Sequence, residues 1–252
     1  FALSVAEPWS SGIGGGGFMV VHIDGATLSW DFRETAPAAA TKDMYVKDGA
    51  VVKGESTWSA RAAGIPGQVR GLAEVHRAHG RLPFAAVVAP AVVLARSGFA
   101  VTPLFQARTV RATKNMDERA KAIFLSPDGL PWPEGTLFKQ PALAHTLTRI
   151  AETEGEAFYT GDIAKALVEG VRDAGGIWTL SDLANYKVKR RSVVRGTYRG
   201  YKVASMGPPS SGGLLLIQML SVLESFDLAS AGYGAGDGVH LLAEVMKRAY
   251  AC

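Results

Sequence analysis

The chain has 252 residues, 48% of them hydrophobic and 20% charged, and its 27 Lys and Arg against 23 Asp and Glu leave a net charge of +4. This is ordinary globular usage, enough to bury a substantial core, and without a block of five like charges no nucleic-acid partner is expected. The one cysteine, Cys252, excludes an intrachain disulfide and a cysteine-ligated zinc site, and the most apolar run, Phe84 to Ala95, is too short to span a bilayer.

In chain order, the first feature is the run Ser11-Gly12-Ile13-Gly14-Gly15-Gly16-Gly17-Phe18. Gly12, Gly14 and Gly17 satisfy G-x-G-x-x-G, with Asp31 and Glu34 about 20 residues further on, where a dinucleotide site places its acid. The context is wrong for phosphate. Such a loop needs a strand before it and a helix N-terminus after it. Here a turn-like Glu7-Pro8-Trp9-Ser10-Ser11 precedes, and the β-rich Phe18 to Ile23 follows. The glycines are therefore expected to serve unusual backbone angles or close packing.

Asp24-Gly25 is a hairpin turn signal. In Thr27 to Glu34, Leu28, Trp30 and Phe32 alternate with Ser29, Asp31 and Arg33, which predicts a strand with Arg33 on its polar face. An arginine there is solvated or paired, or is a fork for a carboxylate. Helices are predicted over Gly67 to Gly80, Pro83 to Ser97 with a break or kink at Pro90, 103 to 120, Ala142 to Glu154 and Gly161 to Ala174. Ser126 to Pro141 is predicted as loop, with Asp128-Gly129 a turn lacking the acid series of a calcium site. Thr179-Leu180-Ser181-Asp182 starts a short helix. The basic run Lys187 to Arg191 is expected to be a solvated face. Strands are predicted at Val193 to Tyr198 and Tyr201 to Ser205, joined at Arg199-Gly200, and amphipathic helices at Ser211 to Phe226 and Gly238 to Tyr250. The order of elements is α+β, not a regular β-α-β alternation.

Other chemical candidates are weak. Ser210 and Ser211, after Pro208-Pro209, lack the G-x-S-x-G of a hydrolase elbow, and one or the other is expected to cap the helix that follows. His76 and His79 stand three apart without a third ligand, and His145 and His240 have no recognisable partner, so no metal is expected. The chain starts without an initiator Met or signal peptide and stops inside a helical pattern, so both ends are expected to be cut.

Taken together, several segments resemble the γ-glutamyltranspeptidase (glutathione hydrolase) family. They are Glu7 to Phe18, Asp31-Phe32-Arg33-Glu34-Thr35-Ala36-Pro37, Gly64 to Leu72, Gly80 to Phe84, Phe158 to Ala164, Tyr198 to Tyr201, Pro208 to Gly213 and Leu242 to Tyr250. The resemblance runs from end to end. It implies part of a four-layer αββα sandwich of the N-terminal-nucleophile hydrolase type, with residues 1–252 a partial large-subunit region of one domain. It also implies self-cleavage into two subunits, with the small subunit's new N-terminal threonine as nucleophile. That threonine would pass the γ-glutamyl group of glutathione or another γ-glutamyl compound to water, an amino acid or a peptide. No metal or organic cofactor is implied, and the location implied is periplasmic or secreted. No threonine here stands in the nucleophile's motif, so no catalytic residue is assigned and the chain alone is expected to be inactive. One residue carries over: Arg33 matches the arginine that binds the substrate's α-carboxylate. Cephalosporin acylases share the architecture, and Arg33 suits glutamyl and glutaryl substrates alike.

Overall fold

The computed structural model describes residues 1–232 and 234–251; Cys252 lies outside them. The chain is mixed helix and sheet and divides into two compact units, each described by itself.

The first unit, Phe1–Gly17 with Phe32–Val188, is mainly helical. Its core is built by Gln68–His79, Phe84–Ser97, Pro141–Glu152 and Asp162–Asp173, each burying one stripe. Val69, Val88, Leu147, Ile150, Phe158 and Leu183 are all but fully enclosed there. The Phe84–Ser97 helix runs on through Pro90, so of the expected break or kink the break does not occur. A smaller aromatic cluster joins Phe105, Phe138 and Val101 with Trp9, Phe99 and Phe124 at its margin. Leu147→Ala in the complete gene product is expected to cost about 2–5 kcal/mol, because its fully packed site leaves a cavity. The check is a lower denaturant midpoint at an unchanged slope.

Two expectations need correction here. The helix expected over 103 to 120 is two, Pro103–Thr113 and Glu118–Phe124. Asp117 ends the linkage by capping the second helix, accepting from the Ala120 N–H at 2.8 Å. The stretch 126 to 141 is not all loop, since Leu137–Phe138 pairs with Phe99–Ala100. A further hairpin, Val46–Lys47 with Ala50–Val51, turns at Asp48-Gly49, both with positive φ.

The second unit combines Phe18–Asp31 with the described residues from Lys189 onward. Phe18–Ile23 and Ala26–Asp31 form the expected antiparallel hairpin around Asp24-Gly25, and Lys189–Arg191 adds a third strand beside Ala26–Asp31. The basic run is exposed as expected, yet it is also ladder structure. Arg191 Nε donates to Asp31 Oδ2 at 2.9 Å, Ser29 Oγ donates to the Arg191 carbonyl at 2.6 Å, and the Arg190 guanidinium lies 3.8 Å from the Trp30 ring centroid. Ser29 and Asp31 are consequently buried, so the polar face read from the alternation is not a solvated one. Val193–Tyr198 and Tyr201–Met206 pair as a hairpin through Arg199-Gly200. Gly212–Leu223 and Gly236–Tyr250 complete the unit. Ser211 stands at the N-cap of Gly212–Leu223 without a side-chain cap hydrogen bond, so the expected serine cap is not formed; Ser210 Oγ, one residue earlier, accepts from the Gly212 N–H at 3.3 Å. Among the described residues no helix is long and apolar enough to cross a membrane.

Candidate functional site

The predicted strand Thr27 to Glu34 ends at Asp31, and the chain runs on as extended segment through Phe32 and Arg33. Four sets of contacts within the first unit fix this segment. Phe32 and Gly17 exchange both backbone hydrogen bonds, at 3.0 and 3.2 Å. The Tyr186 hydroxyl donates to the Arg33 carbonyl at 2.8 Å. Thr35 and Ile65 exchange a second backbone pair, at 2.8 and 3.2 Å. The Gly15 carbonyl accepts from both Gly67 N–H and Gln68 N–H at 2.9 Å, tying the glycine run to the start of the Gln68–His79 helix.

Why the run is glycine is now plain. A Cβ on Gly16 would come within 2.5 Å of the Phe32 carbonyl oxygen and 2.9 Å of the Arg33 carbonyl carbon. A Cβ on Gly17 would stand 3.0 Å from the Phe32 ring. None of Gly12 to Gly17 adopts a positive φ, so close approach, not unusual torsion, is what Gly16 and Gly17 supply, while a Cβ on Gly12, Gly14 or Gly15 would meet no crowding. A strand follows the run and a short helix, Pro8–Ser11, precedes it, the reverse of a phosphate loop. Gly67 and Gly71 work the same way from below. A Cβ on Gly67 would meet the Tyr186 hydroxyl at 2.0 Å and the Phe32 carbonyl oxygen at 2.1 Å, and one on Gly71 would lie 2.1 Å from Phe32 Cγ.

Beneath the segment lies a tyrosine pair. Tyr159 and Tyr186 stack at 5.9 Å and 19°. Tyr159 accepts from the Arg70 N–H at 2.9 Å and donates to the Pro66 carbonyl at 3.0 Å, and the Arg70 guanidinium covers its ring at 4.3 Å. Burial pushes the Tyr159 phenol well above its ordinary range, so it stays a protonated donor. Tyr186→Phe removes the hydroxyl under Arg33 while keeping the stack. In the complete gene product it is expected to cost about 0.5–1.5 kcal/mol, one neutral hydrogen bond, measured as a lower melting temperature.

Arg33 itself is exposed and lines an open cavity of about 720 Å³. Glu34 and Thr35 share its wall, and Tyr45, Arg61 and Trp178 close it from other segments. The loop at its rim is anchored by Asp182, which accepts from the Ala38 N–H at 2.8 Å and completes a capping box with Thr179. Burial alone would push the Asp182 carboxyl up, but the hydrogen bonds from Thr179 and Ala38 outweigh it and hold it below the usual carboxylate range. A rigid backbone thus presents a guanidinium, a five-donor fork, to a space large enough for a small peptide. A larger cavity of about 830 Å³, lined by Trp58, Arg108 and Arg111 among others, holds none of the residues singled out from sequence.

The remaining candidates fall away from this site. His76 Nε2 lies 2.9 Å from the Leu82 carbonyl and its ring packs on Phe84, a helix-end role. Among the described residues there is no cluster of three or more His, Cys, Asp or Glu that could hold a metal. Asp128-Gly129 is the expected turn, with Asp128 accepting from the Leu130 N–H at 3.2 Å. Sequence reasoning missed Tyr45, Arg61, Trp178 and Tyr186. Only Gly71 carried a usable signal, since a glycine inside a helix costs about 1 kcal/mol and points to a packing demand.

Comparison with known proteins follows the same lines. The profile described as Gamma-glutamyltranspeptidase matches residues 1–252. The chain is 40% identical over 256 aligned residues to the glutathione hydrolase proenzyme of Escherichia coli (strain K12), with all of this chain and 44% of that protein covered. It is 39% identical to the acylase ACY 1 proenzyme of Pseudomonas sp. (strain V22), again with all of this chain and 47% of that protein covered. The crystal structure of Helicobacter pylori γ-glutamyltranspeptidase superposes with a TM-score of 0.94 at 41% identity, over 99% of this chain and 73% of that one. The α+β class and the N-terminal-nucleophile hydrolase fold expected from sequence are therefore those of its structural neighbours. The chain spans less than half the length of these two curated relatives.

Proposed function

Because the chain belongs to the γ-glutamyltranspeptidase family, we propose that the protein it comes from cleaves γ-glutamyl amides and passes the glutamyl group to water, an amino acid or a peptide. Glutathione is the proposed donor. The observation that supports this most is the identity of about 40% with a glutathione hydrolase over an alignment that covers the whole chain.

In this reading Arg33 holds the donor's α-carboxylate through two parallel N–H···O bonds, a charge-assisted contact. Its task is placement. By anchoring the end of the glutamyl group away from the scissile bond, it sets the γ-carbonyl before the nucleophile and converts an encounter into an intramolecular step. The nucleophile is the N-terminal threonine of a small subunit, outside these 252 residues. Its hydroxyl adds to the γ-carbonyl and its own α-amine takes the proton. The amine leaves with a proton, and the acyl ester is then attacked by water or an acceptor amine. A periplasmic or secreted location belongs to the same proposal.

An acylase acting on glutaryl amides is the second reading, supported by the identity with acylase ACY 1. The two differ at the substrate's α-amine, which a glutaryl group lacks. The experiment compares γ-glutamyl anilide with glutaryl anilide on the complete, processed gene product. Faster turnover of the γ-glutamyl anilide, with stimulation by an added dipeptide, is expected. Turnover of the glutaryl anilide alone, or of neither, would overturn the proposal.

A further inference from the structure

The Arg33 cavity holds a second guanidinium. Arg61 lies on a short 3-10 turn, Ala60–Ala62, and lines the same space. It is exposed, and none of the ion pairs among the described residues includes it. The turn is held in place by its backbone. The Tyr45 hydroxyl donates to the Arg61 carbonyl at 3.5 Å, and Trp178 Nε1 donates to the Ala63 carbonyl at 2.9 Å. Against the two arginines the cavity wall carries one acid, Glu34, so it is net positive.

The antiparallel Thr35–Ile65 bridge sets where the two arginines stand. Residues before Thr35 run beside residues after Ile65, as the closeness of Gly67 to Phe32 shows. Arg33 therefore lies toward one end of the cavity, and Arg61, which precedes Ile65, toward the other. Counting extended residues at about 3.3 Å and 3-10 residues at about 2 Å, the path along the two segments limits their backbone separation to roughly 18 Å. Two guanidiniums lining one cavity within that limit suit two charges on one extended ligand.

We propose that Arg61 is a specificity residue that recognises a second carboxylate, the free C-terminal carboxylate of the peptide portion of a γ-glutamyl peptide whose α-carboxylate sits on Arg33. The assignment rests on the reading of Arg33 given above. It places a preference for peptides ending in a free acid on this chain, and it makes a neutral leaving group a poorer ligand than an acidic one.

The test is equilibrium binding to the complete gene product, read by calorimetry. The probes are a γ-glutamyl dipeptide whose scissile amide is replaced by a non-cleavable ethylene linkage, and the same molecule with a C-terminal amide. Wild type is expected to bind the free acid roughly two- to fivefold more tightly than the amide, the upper range of an exposed charge pair. Arg61→Gln should erase that preference at an unchanged melting temperature, and Arg61→Lys should restore part of it. Arg33→Ala should weaken both probes alike. An Arg61→Gln protein that keeps the wild-type preference overturns the proposal, and so does a wild type that shows none. If Arg33→Ala leaves both affinities unchanged while Arg61→Gln erases the preference, the Arg33 reading fails and the Arg61 assignment stands as an anion contact alone.

Discussion

Arg33→Ala in the complete gene product is expected to raise KM for a γ-glutamyl anilide roughly ten- to hundredfold, with kcat changing far less. The magnitude is that of a hydrogen-bonded charge contact, about 1.5–3 kcal/mol, at about 1.4 kcal/mol per factor of ten. The split follows from where the contact sits. An α-carboxylate does not change charge as the γ-amide is attacked, so its anchor stabilises ground and transition states nearly alike, and its loss appears in KM. Arg33→Lys keeps the charge but loses the planar fork and should recover only part of the affinity. The side chain is exposed, where a charge contact contributes at most about 1 kcal/mol, so either variant should shift the melting temperature little, which separates lost binding from lost fold. Steady-state kinetics on the purified variants are the check.

Gly67→Ala is expected to damage the same site from the opposite side. Its Cβ would sit 2.0 Å from the Tyr186 hydroxyl and 2.1 Å from the Phe32 carbonyl oxygen, distances no side-chain adjustment of alanine relieves. The φ of Gly67 is −111°, which alanine tolerates, so the whole effect is steric. Overpacking of this kind costs about 1–3 kcal/mol and more where backbone must move. The backbone that would move is Phe32, directly before Arg33. A lowered melting temperature together with a raised KM is therefore expected, and a variant with wild-type values for both would show that the crowding is relieved elsewhere. Gly67→Ala thus differs from Arg33→Ala, which should change binding with little effect on stability.

Much of this was legible in the sequence, for identifiable reasons. Local codes read well. Asp24-Gly25 and Arg199-Gly200 adopt the positive φ pairs that close two-residue hairpins, and Thr179 with Asp182 forms the capping box its spacing announces. Of the two reasons expected for the glycine run, close packing holds at Gly16 and Gly17 and unusual backbone angles do not; the strand after it, Phe18–Ile23, was visible as a β-rich stretch. Asp48-Gly49 carried the same hairpin signal as Asp24-Gly25 and went unused, as did Asp117, whose capping character divides the helix expected over 103 to 120.

What failed to show was everything set by distant segments. The alternation in Thr27 to Glu34 placed Ser29 and Asp31 on a polar face, and they are polar. Nothing local says that Arg191, 160 residues away from Asp31, buries them by pairing. Tyr186 reaches the Arg33 carbonyl across 153 residues, and Trp178 reaches Ala63 across 115. Such contacts leave no periodic trace. Arg33 itself stood out through its family motif, whereas Arg61 lies in no motif and became visible only when the Thr35–Ile65 pair brought its segment to the same cavity.

The central claim, that Arg33 holds the donor's α-carboxylate, is tested most directly by removing each partner in turn. Wild type and Arg33→Ala are compared on γ-glutamyl anilide and on 4-aminobutyryl anilide, which is the same substrate without its α-carboxylate. Wild type should lose roughly ten- to hundredfold in kcat/KM on the substrate lacking the carboxylate, and Arg33→Ala should show almost no difference between the two. An Arg33→Ala protein that still discriminates between them as strongly as wild type would place the carboxylate on another group and contradict the account.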